Sequence, residues 1–98
     1  MADHPGVVFK DGPSGRRAAL AYGPDVWEVV KFLKEIDERE GAAIEAAAET
    51  FALDVSWVST AIAYYGEFHE EIDAEIEAAD EASLRAEQAW RAQRRLVA

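Results

Sequence analysis

The chain has no cysteine and no long apolar run. Without cysteine, disulfide scaffolds and thiolate metal sites are excluded. No stretch approaches the roughly 20 consecutive apolar residues that a membrane-spanning helix needs. The N-terminus also lacks a charged region followed by an apolar run, the pattern of a signal peptide. We therefore expect a cytoplasmic protein that does not cross a membrane.

Glycine and proline are missing from the C-terminal third. Neither residue occurs between His69 and Leu96, where Ala, Glu, Arg and Gln dominate, and these residues favour helix. The pattern predicts one unbroken helix about 40 Å long. The residues before it would form a body with a radius of gyration of only about 11 Å. We therefore expect the C-terminal part of this helix to overhang the body.

The two ends of this helix differ in character. Phe68, Ile72 and Ile76 are predicted to reach the core. Trp90 and the apolar residues at the C-terminus, Leu96 and Val97, are predicted to lie beyond it.

Basic residues are few and unevenly placed. The formal charge is −10, which argues against a general attraction to the phosphate backbone of nucleic acids. Residues 55–82 carry −8 with no Lys or Arg, whereas residues 83–98 carry +3. An acidic body with a cationic tail indicates that the two parts meet different surfaces.

The middle of the chain has the pattern of a helix-turn-helix unit. Its apolar residues follow helical spacing on both sides of a break at residues 52–54: Ile44, Ala47, Ala48 and Phe51 before it, and Val55, Val58, Ile62 and Tyr65 after it. Asp54 is suited to cap the second helix, because its carboxylate can accept a free amide hydrogen. The turn commonly needs glycine, and Ala52 stands there instead.

Two short β-prone segments precede the helices. Residues 7–9 and 18–22 flank a turn-rich stretch at residues 11–15, which predicts a hairpin. The first helix is predicted to begin around Pro24, in the first helical position, and to end at Gly41.

The predicted fold is mainly α: a short N-terminal β-hairpin, a helix-turn-helix-type helical bundle and a long protruding C-terminal helix. We assign residues 1–82 to the hairpin and body, and residues 83–98 to a helical partner-binding extension.

No catalytic, metal or cofactor site is predicted. Ser56, Ser59 and Thr60 have no His or Lys base near them in sequence. Di-metal helical bundles use Glu-x-x-His pairs, but Gly66 stands three residues before His69. The many carboxylates of residues 67–81 therefore favour a solvated acidic face.

Nucleic-acid binding through the second helix of the unit is a weaker possibility. The candidate DNA-binding residues combine polar groups of that helix with two arginines of the hairpin: Arg16, Arg17, Ser56, Trp57, Ser59 and Thr60. The helix itself offers no Arg or Lys. The cations would have to come from Lys10, Arg16, Arg17, Lys31 and Lys34. The alternative is a helical pair that serves only for packing.

The C-terminal extension has the features of a partner-binding helix. Trp90 and Val97 are one heptad apart, the anchor spacing of a helix that binds in a groove. Neighbouring guanidinium groups can form bidentate bonds with carboxylates. The candidate partner-binding residues are Arg85, Trp90, Arg91, Arg94, Arg95, Leu96 and Val97. The alternative is a tail that packs on a second copy of the chain or frays.

Four segments between Gly15 and Glu77 carry a family resemblance: Val26-Trp27-Glu28-Val29-Val30, Leu53 to Val58, Ala61-Ile62-Ala63-Tyr64-Tyr65 and Glu70 to Ile76. They resemble small bacterial type II antitoxins of the domain-of-unknown-function 433 family. The resemblance implies a helix-turn-helix antitoxin, often encoded beside a PIN-like ribonuclease toxin, that neutralises the toxin and represses the shared operon. We also expect the chain to form a homodimer.

Three positions depart from the family pattern. His69 and Ser59 stand where the family has Pro and commonly Arg, and of an Arg-Ile-Pro run only Pro24 remains. The lost arginine weakens the DNA-binding inference. PIN-like nucleases hold Mg²⁺ with clustered carboxylates, and an arginine-bearing helix suits such a groove. The predicted function is toxin neutralisation through the C-terminal helix, with autoregulation of the operon. The alternative is a stand-alone dimeric helix-turn-helix DNA-binding regulator.

Overall fold

The computed structural model describes residues 5–12, 15–21 and 23–98. The described chain runs from a two-stranded hairpin into four helices: β1 (Val7–Gly12), β2 (Gly15–Leu20), α1 (Val26–Glu35), α2 (Glu40–Phe51), α3 (Val55–Glu67) and α4 (His69–Val97). The predicted mainly α fold, with its N-terminal hairpin and long C-terminal helix, is confirmed. The strands are antiparallel, with Val7 opposite Leu20 and Asp11 opposite Arg16. The tip of the predicted turn, Pro13 and Ser14, and the predicted strand end at Tyr22 lie outside the described residues.

Helix α1 is shorter than predicted at both ends. Asp25 is its N-cap, and the Asp25 amide donates to Glu28 Oε1 at 2.8 Å, so Pro24 precedes the helix. The helix ends at Glu35, and the prediction that it continues to Gly41 is wrong because Gly41 lies inside α2. The chain between the helices is held by Arg39, whose Nη1 donates to the carbonyls of Ile36, Asp37 and Glu38 at 2.9–3.1 Å.

The turn between α2 and α3 lies where the sequence predicts it. Ala52 takes a left-handed conformation with φ 56°, and the Leu53 amide donates to the Ala48 carbonyl at 2.8 Å. Asp54 caps α3 by accepting the Ser56 amide at 3.0 Å, as predicted. Ala48 is buried, which allows the two helices to approach each other.

The core lies where α1, α2, α3, β2 and the start of α4 meet. Its largest fully buried side chains are Leu20, Val26, Val29, Val58 and Ile72. Phe32 contacts Phe51 edge-to-face, with ring centroids 5.7 Å apart, so it joins α1 to α2. The core is therefore complete without a partner chain.

Helix α4 begins after a break at a single residue. Helix α3 continues through Gly66 to Glu67, and Phe68 alone leaves helical geometry. Phe68 is 38% exposed and stacks on Tyr64 with ring centroids 4.7 Å apart, so the prediction that it enters the core is wrong. Ile72 is fully buried and Ile76 is partly buried, as predicted.

Two lysines of α1 hold α4 against the body. Lys34 Nζ lies 2.9 Å from Asp73 Oδ1, and Lys31 Nζ lies 2.9 Å from Asp80 Oδ1. These contacts end one turn beyond Ile76, and every residue from Glu81 onward is exposed. The 29 residues of α4 span about 43 Å. The longest dimension of the molecule is 51 Å, so α4 overhangs the body as predicted.

Candidate interaction surfaces

The overhang of α4, residues 81–97, carries the predicted partner-binding residues on exposed positions. Trp90 is 55% exposed, and Leu96 and Val97 are more than 80% exposed. Alanine, glutamine, glutamate and arginine fill most of the remaining positions and favour helix without tertiary support. An isolated helix of this length is nevertheless only marginally stable in water. The overhang is thus a helix whose apolar residues are not covered by the described part of the body.

The arginines of the overhang differ in their contacts. Arg91 Nη2 lies 2.9 Å from Glu87 Oε2, one helical turn away. The Arg94 guanidinium lies 5.1 Å from the Trp90 ring centroid, within cation–π distance. Arg85 and Arg95 take part in no ion pair among the described residues. All four side chains are exposed, so the overhang presents a cationic surface around one tryptophan.

The polar residues of α3 are mostly used inside the chain. The Ser56 hydroxyl donates to Asp54 Oδ2 at 2.6 Å, and the Thr60 hydroxyl donates to the Ser56 carbonyl at 3.0 Å. The Ser56 hydroxyl and amide together lower the pKa of Asp54. Ser59 is exposed. Of the predicted DNA-binding hydroxyls, two therefore have hydrogen-bond partners inside the chain: Ser56 binds the N-cap Asp54, and Thr60 binds the Ser56 carbonyl.

Trp57 does not lie on a free face of α3, as the DNA-binding prediction required. It is partly buried and packs against the core. Its ring packs against Gly6, which has φ 92°. A Cβ atom at position 6 would lie 2.8 Å from Trp57 Cζ3. Only glycine suits both this conformation and this close approach. Trp57 thus anchors the chain that enters the hairpin.

The two hairpin arginines also have internal partners. Arg17 Nε lies 2.6 Å from Asp25 Oδ2, and Arg17 Nη1 donates to the Asp11 carbonyl at 3.4 Å. The Arg16 guanidinium stacks over the Phe9 ring, 4.2 Å from its centroid. Arg17 therefore links the hairpin to the start of α1, an internal role that the sequence analysis did not predict. Arg16 remains exposed.

The two lysines of α1 that were candidates for DNA contact, Lys31 and Lys34, are engaged as well. The pKa of Lys34 is raised, first by its hydrogen bond to Asp73, and the pKa of Lys31 is raised, first by its hydrogen bond to Glu35 and then by Asp80. The pKa of Asp73 is lowered by the bond from Lys34 and by a second bond from the Tyr65 hydroxyl. These lysines stabilise the attachment of α4.

A partly buried acidic cluster beside the hairpin was missed by the sequence analysis. Glu75 Oε1 is buried and makes no hydrogen bond with the residues that the structure describes. Burial, followed by repulsion from Glu71 and Asp25, raises the pKa of Glu75 to about 7, whereas Arg17 lowers it. The hydroxyl of buried Tyr64 lies 3.5 Å from the Glu71 carboxylate oxygens.

Helical spacing could have revealed this cluster. Glu75 lies three residues after Ile72 and directly before Ile76, at the edge of the face that enters the core. The prediction of a uniformly solvated acidic face is therefore wrong at Glu75.

Burial raises the pKa of Tyr64 to about 12, with a further contribution from the Glu71 charge. Tyr64 is consequently a neutral hydroxyl.

Two kinds of feature are absent from residues 5–12, 15–21 and 23–98. No three His, Asp or Glu side chains are arranged to hold a metal ion. No helix is both long and apolar enough to span a membrane.

Comparisons with known proteins give no match: none to a protein-family model, to a curated protein or to a solved structure. The resemblance to the domain-of-unknown-function 433 antitoxins therefore remains a prediction from the quoted sequence segments.

Proposed function

We propose that this chain is the antitoxin of a toxin–antitoxin pair and inhibits a PIN-like ribonuclease through the overhang of α4. The observation that carries the proposal is the exposed tryptophan among exposed arginines on the overhang, the part of α4 that lies beyond its contacts with the body. The core is closed without these residues, so they add little to folding of the body. Exposed aromatic and arginine side chains are the residue types that dominate binding energy at protein interfaces.

The charge of the overhang indicates the kind of surface it would bind. Arg17, Lys31 and Lys34 of the hairpin and α1 are paired with carboxylates, whereas Arg85 and Arg95 have no carboxylate partner among the described residues. Arginine binds carboxylates through two parallel hydrogen bonds. A nuclease groove lined by metal-binding carboxylates offers such partners, and Trp90 would supply the apolar anchor. An antitoxin acts where its nuclease meets RNA, so the proposal implies a cytoplasmic protein.

Direct DNA binding by α3 receives less support. The helix has no Arg or Lys, and Trp57 packs inward. Phosphate contacts supply much of the affinity of protein–DNA complexes, and cations make most of them. We therefore do not assign DNA binding to the chain alone; repression of the operon would require cations from the toxin.

The experiment uses the product of the adjacent gene, if that gene encodes a PIN-like nuclease. Co-purification and a ribonuclease assay compare the full chain with a truncation after Ala82. Loss of inhibition in the truncated chain supports the proposal, whereas full inhibition would reject the role of the overhang.

A second pair of variants controls for folding. Trp90→Ala should weaken inhibition at least as much as any single arginine change, because a buried aromatic anchor contributes about 2 kcal/mol or more. Leu84→Ala removes an exposed apolar group from a different side of the same helix and should have little effect. Circular dichroism should show that both variants keep the helix content of the wild-type body. Equal inhibition by both would show that Trp90 is not the anchor.

A further inference from the structure

One stripe of α4 faces the core and then continues onto the overhang without a covering element. Its members follow alternating steps of four and three residues as far as Trp90, and Val97 lies two turns further on, so they share one side of the helix: Ile72, Ile76, Ala79, Ser83, Ala86, Trp90 and Val97. The intervening position holds the polar Gln93. Ile72 is fully buried, Ile76 and Ala79 are partly buried, and the later members are exposed. The stripe is thus longer than the segment of it that the body covers.

The charge along α4 changes sign from one end to the other. The first 13 residues, 69–81, hold seven carboxylates and no Lys or Arg, whereas residues 82–97 hold four arginines and one glutamate. Asp80, Glu87 and Arg94 recur every seven residues along one edge of the stripe. Charged residues in this flanking position select the partner and its direction in paired helices.

We propose that a second copy of this chain covers the stripe, with the two α4 helices antiparallel. Turning the second helix around a two-fold axis near Glu87 brings Arg94 of each copy beside Asp80 of the other. The two Glu87 side chains meet at the axis, and each is paired with Arg91 of its own chain. Asp80 Oδ1 already accepts Lys31, and a carboxylate has a second oxygen for the arginine. The same arrangement puts Trp90 opposite the partner's Ser83–Leu84 segment, where the small serine leaves room for the indole.

The charge pattern selects this direction over a parallel pair. A parallel pair would place the acidic segments side by side and the arginines side by side, and both arrangements repel. In the antiparallel pair each acidic segment meets an arginine segment, twice by symmetry. The overlap extends from residue 77 to residue 97 of each helix, so the last turn of each overhang lies beside the end of the segment that packs on the other copy's body.

The inference does not depend on the proposed function, because self-association is measured with this chain alone. It adds a consequence if both are correct. Trp90 would be covered in the homodimer, so pairing with a second copy and binding of a nuclease would exclude each other.

Sedimentation equilibrium of the full chain tests the pairing. The wild type should dimerise, and Trp90→Ala should abolish dimerisation. Arg94→Glu should raise the dimer Kd by roughly tenfold or more, because it converts two attractive contacts into repulsive ones. Arg85→Glu is the matched control: it changes the net charge equally but lies on the opposite side of the helix, so the Kd should change much less.

Mixing two variants gives a charge-exchange test. Asp80→Lys should weaken self-association by itself, as should Arg94→Glu. An equimolar mixture should form a heterodimer, because each variant then meets a residue of opposite charge. A mixture that associates no better than either variant would contradict the proposed register.

Direction can be tested by cross-linking, since the chain has no native cysteine. Ser83→Cys and Gln93→Cys should form a disulfide with each other in a mixture. Ser83→Cys alone should not, because the two symmetry-related positions 83 would be separated by about 12 Å along the pair. A disulfide in the Ser83→Cys variant alone would indicate parallel helices. That result, a monomer at every concentration, or equal effects of Arg94→Glu and Arg85→Glu would overturn the proposal.

Discussion

Glu75 offers a direct test of how burial affects stability in this protein. One oxygen of its carboxylate is buried without a hydrogen-bond partner, and Glu71 and Asp25 add negative charge nearby. These effects raise the pKa from 4.5 to about 7. Substituting glutamine keeps the shape of the side chain and removes the charge. We therefore predict that Glu75→Gln stabilises the protein at alkaline pH.

The sign and the pH range follow from linkage. The folded state favours the protonated form of Glu75. Well below pH 4.5 the group is protonated in both the folded and the unfolded chain and does not reduce the free energy of unfolding. Above pH 7 it is charged in both, and the reduction is largest. A full shift of this size corresponds to about 3 kcal/mol, since one pKa unit is about 1.4 kcal/mol. Glu75 is only partly buried, and solvent screening reduces the cost. We expect Glu75→Gln to increase the free energy of unfolding by about 1–2 kcal/mol at pH 8.5.

Urea unfolding followed by circular dichroism at several pH values measures this difference. Glu77→Gln is the matched control, because it removes one negative charge from an exposed position of the same helix. The free energy of unfolding of Glu75→Gln should exceed that of this control by almost nothing at pH 4, and the difference should grow until about pH 7. An equal effect of the two variants at pH 8.5, or a difference independent of pH, would refute the reasoning.

Three further predictions concern the turn, the core and the attachment of α4. Ala52→Gly should increase the free energy of unfolding in urea by about 1 kcal/mol, because glycine adopts the left-handed conformation without the strain of alanine. The control is the same change at exposed Ala63, inside α3, which should lower the free energy of unfolding by about 0.5–1 kcal/mol. Ile72→Ala should cost about 2–5 kcal/mol in the same assay, since this side chain is fully buried. Lys34→Ala should lower the thermal midpoint because it breaks an ion pair with α4. Arg95→Ala removes the same charge from the overhang and should leave that midpoint unchanged.

The elements were largely predictable from the sequence because their signals are local. The α2–α3 turn shows as a change of apolar phase, and Asp54 is a recognisable cap. The length of α4 follows from the absence of glycine and proline after Gly66. The end of α1 was not predictable in this way. Glycine usually marks a helix end, but here Arg39 binds the loop carbonyls and Gly41 is the second residue of the next helix.

The candidate site was less predictable because its residues depend on tertiary contacts. Whether Arg17 or Lys34 is available to a ligand depends on partners 8 and 39 residues away, respectively. No periodicity contains that information. The inward position of Trp57 depends in the same way on Gly6, which reaches it from the hairpin side. Exposure of the overhang was predictable, because helix length and domain size suffice to establish it.

The pairing of charges inside the body limits where this protein can bind an acidic partner. Arg17, Lys31 and Lys34 each contact a carboxylate that helps to hold the hairpin or α4 in place. Recruiting one of them to a ligand would break an internal contact, and binding would have to compensate for that loss. Binding through the exposed arginines of the overhang has a smaller cost, because Arg85 and Arg95 form no ion pair within the part of the chain that the structure describes. Charge changes in the body should therefore act mainly on stability, and charge changes in the overhang mainly on association.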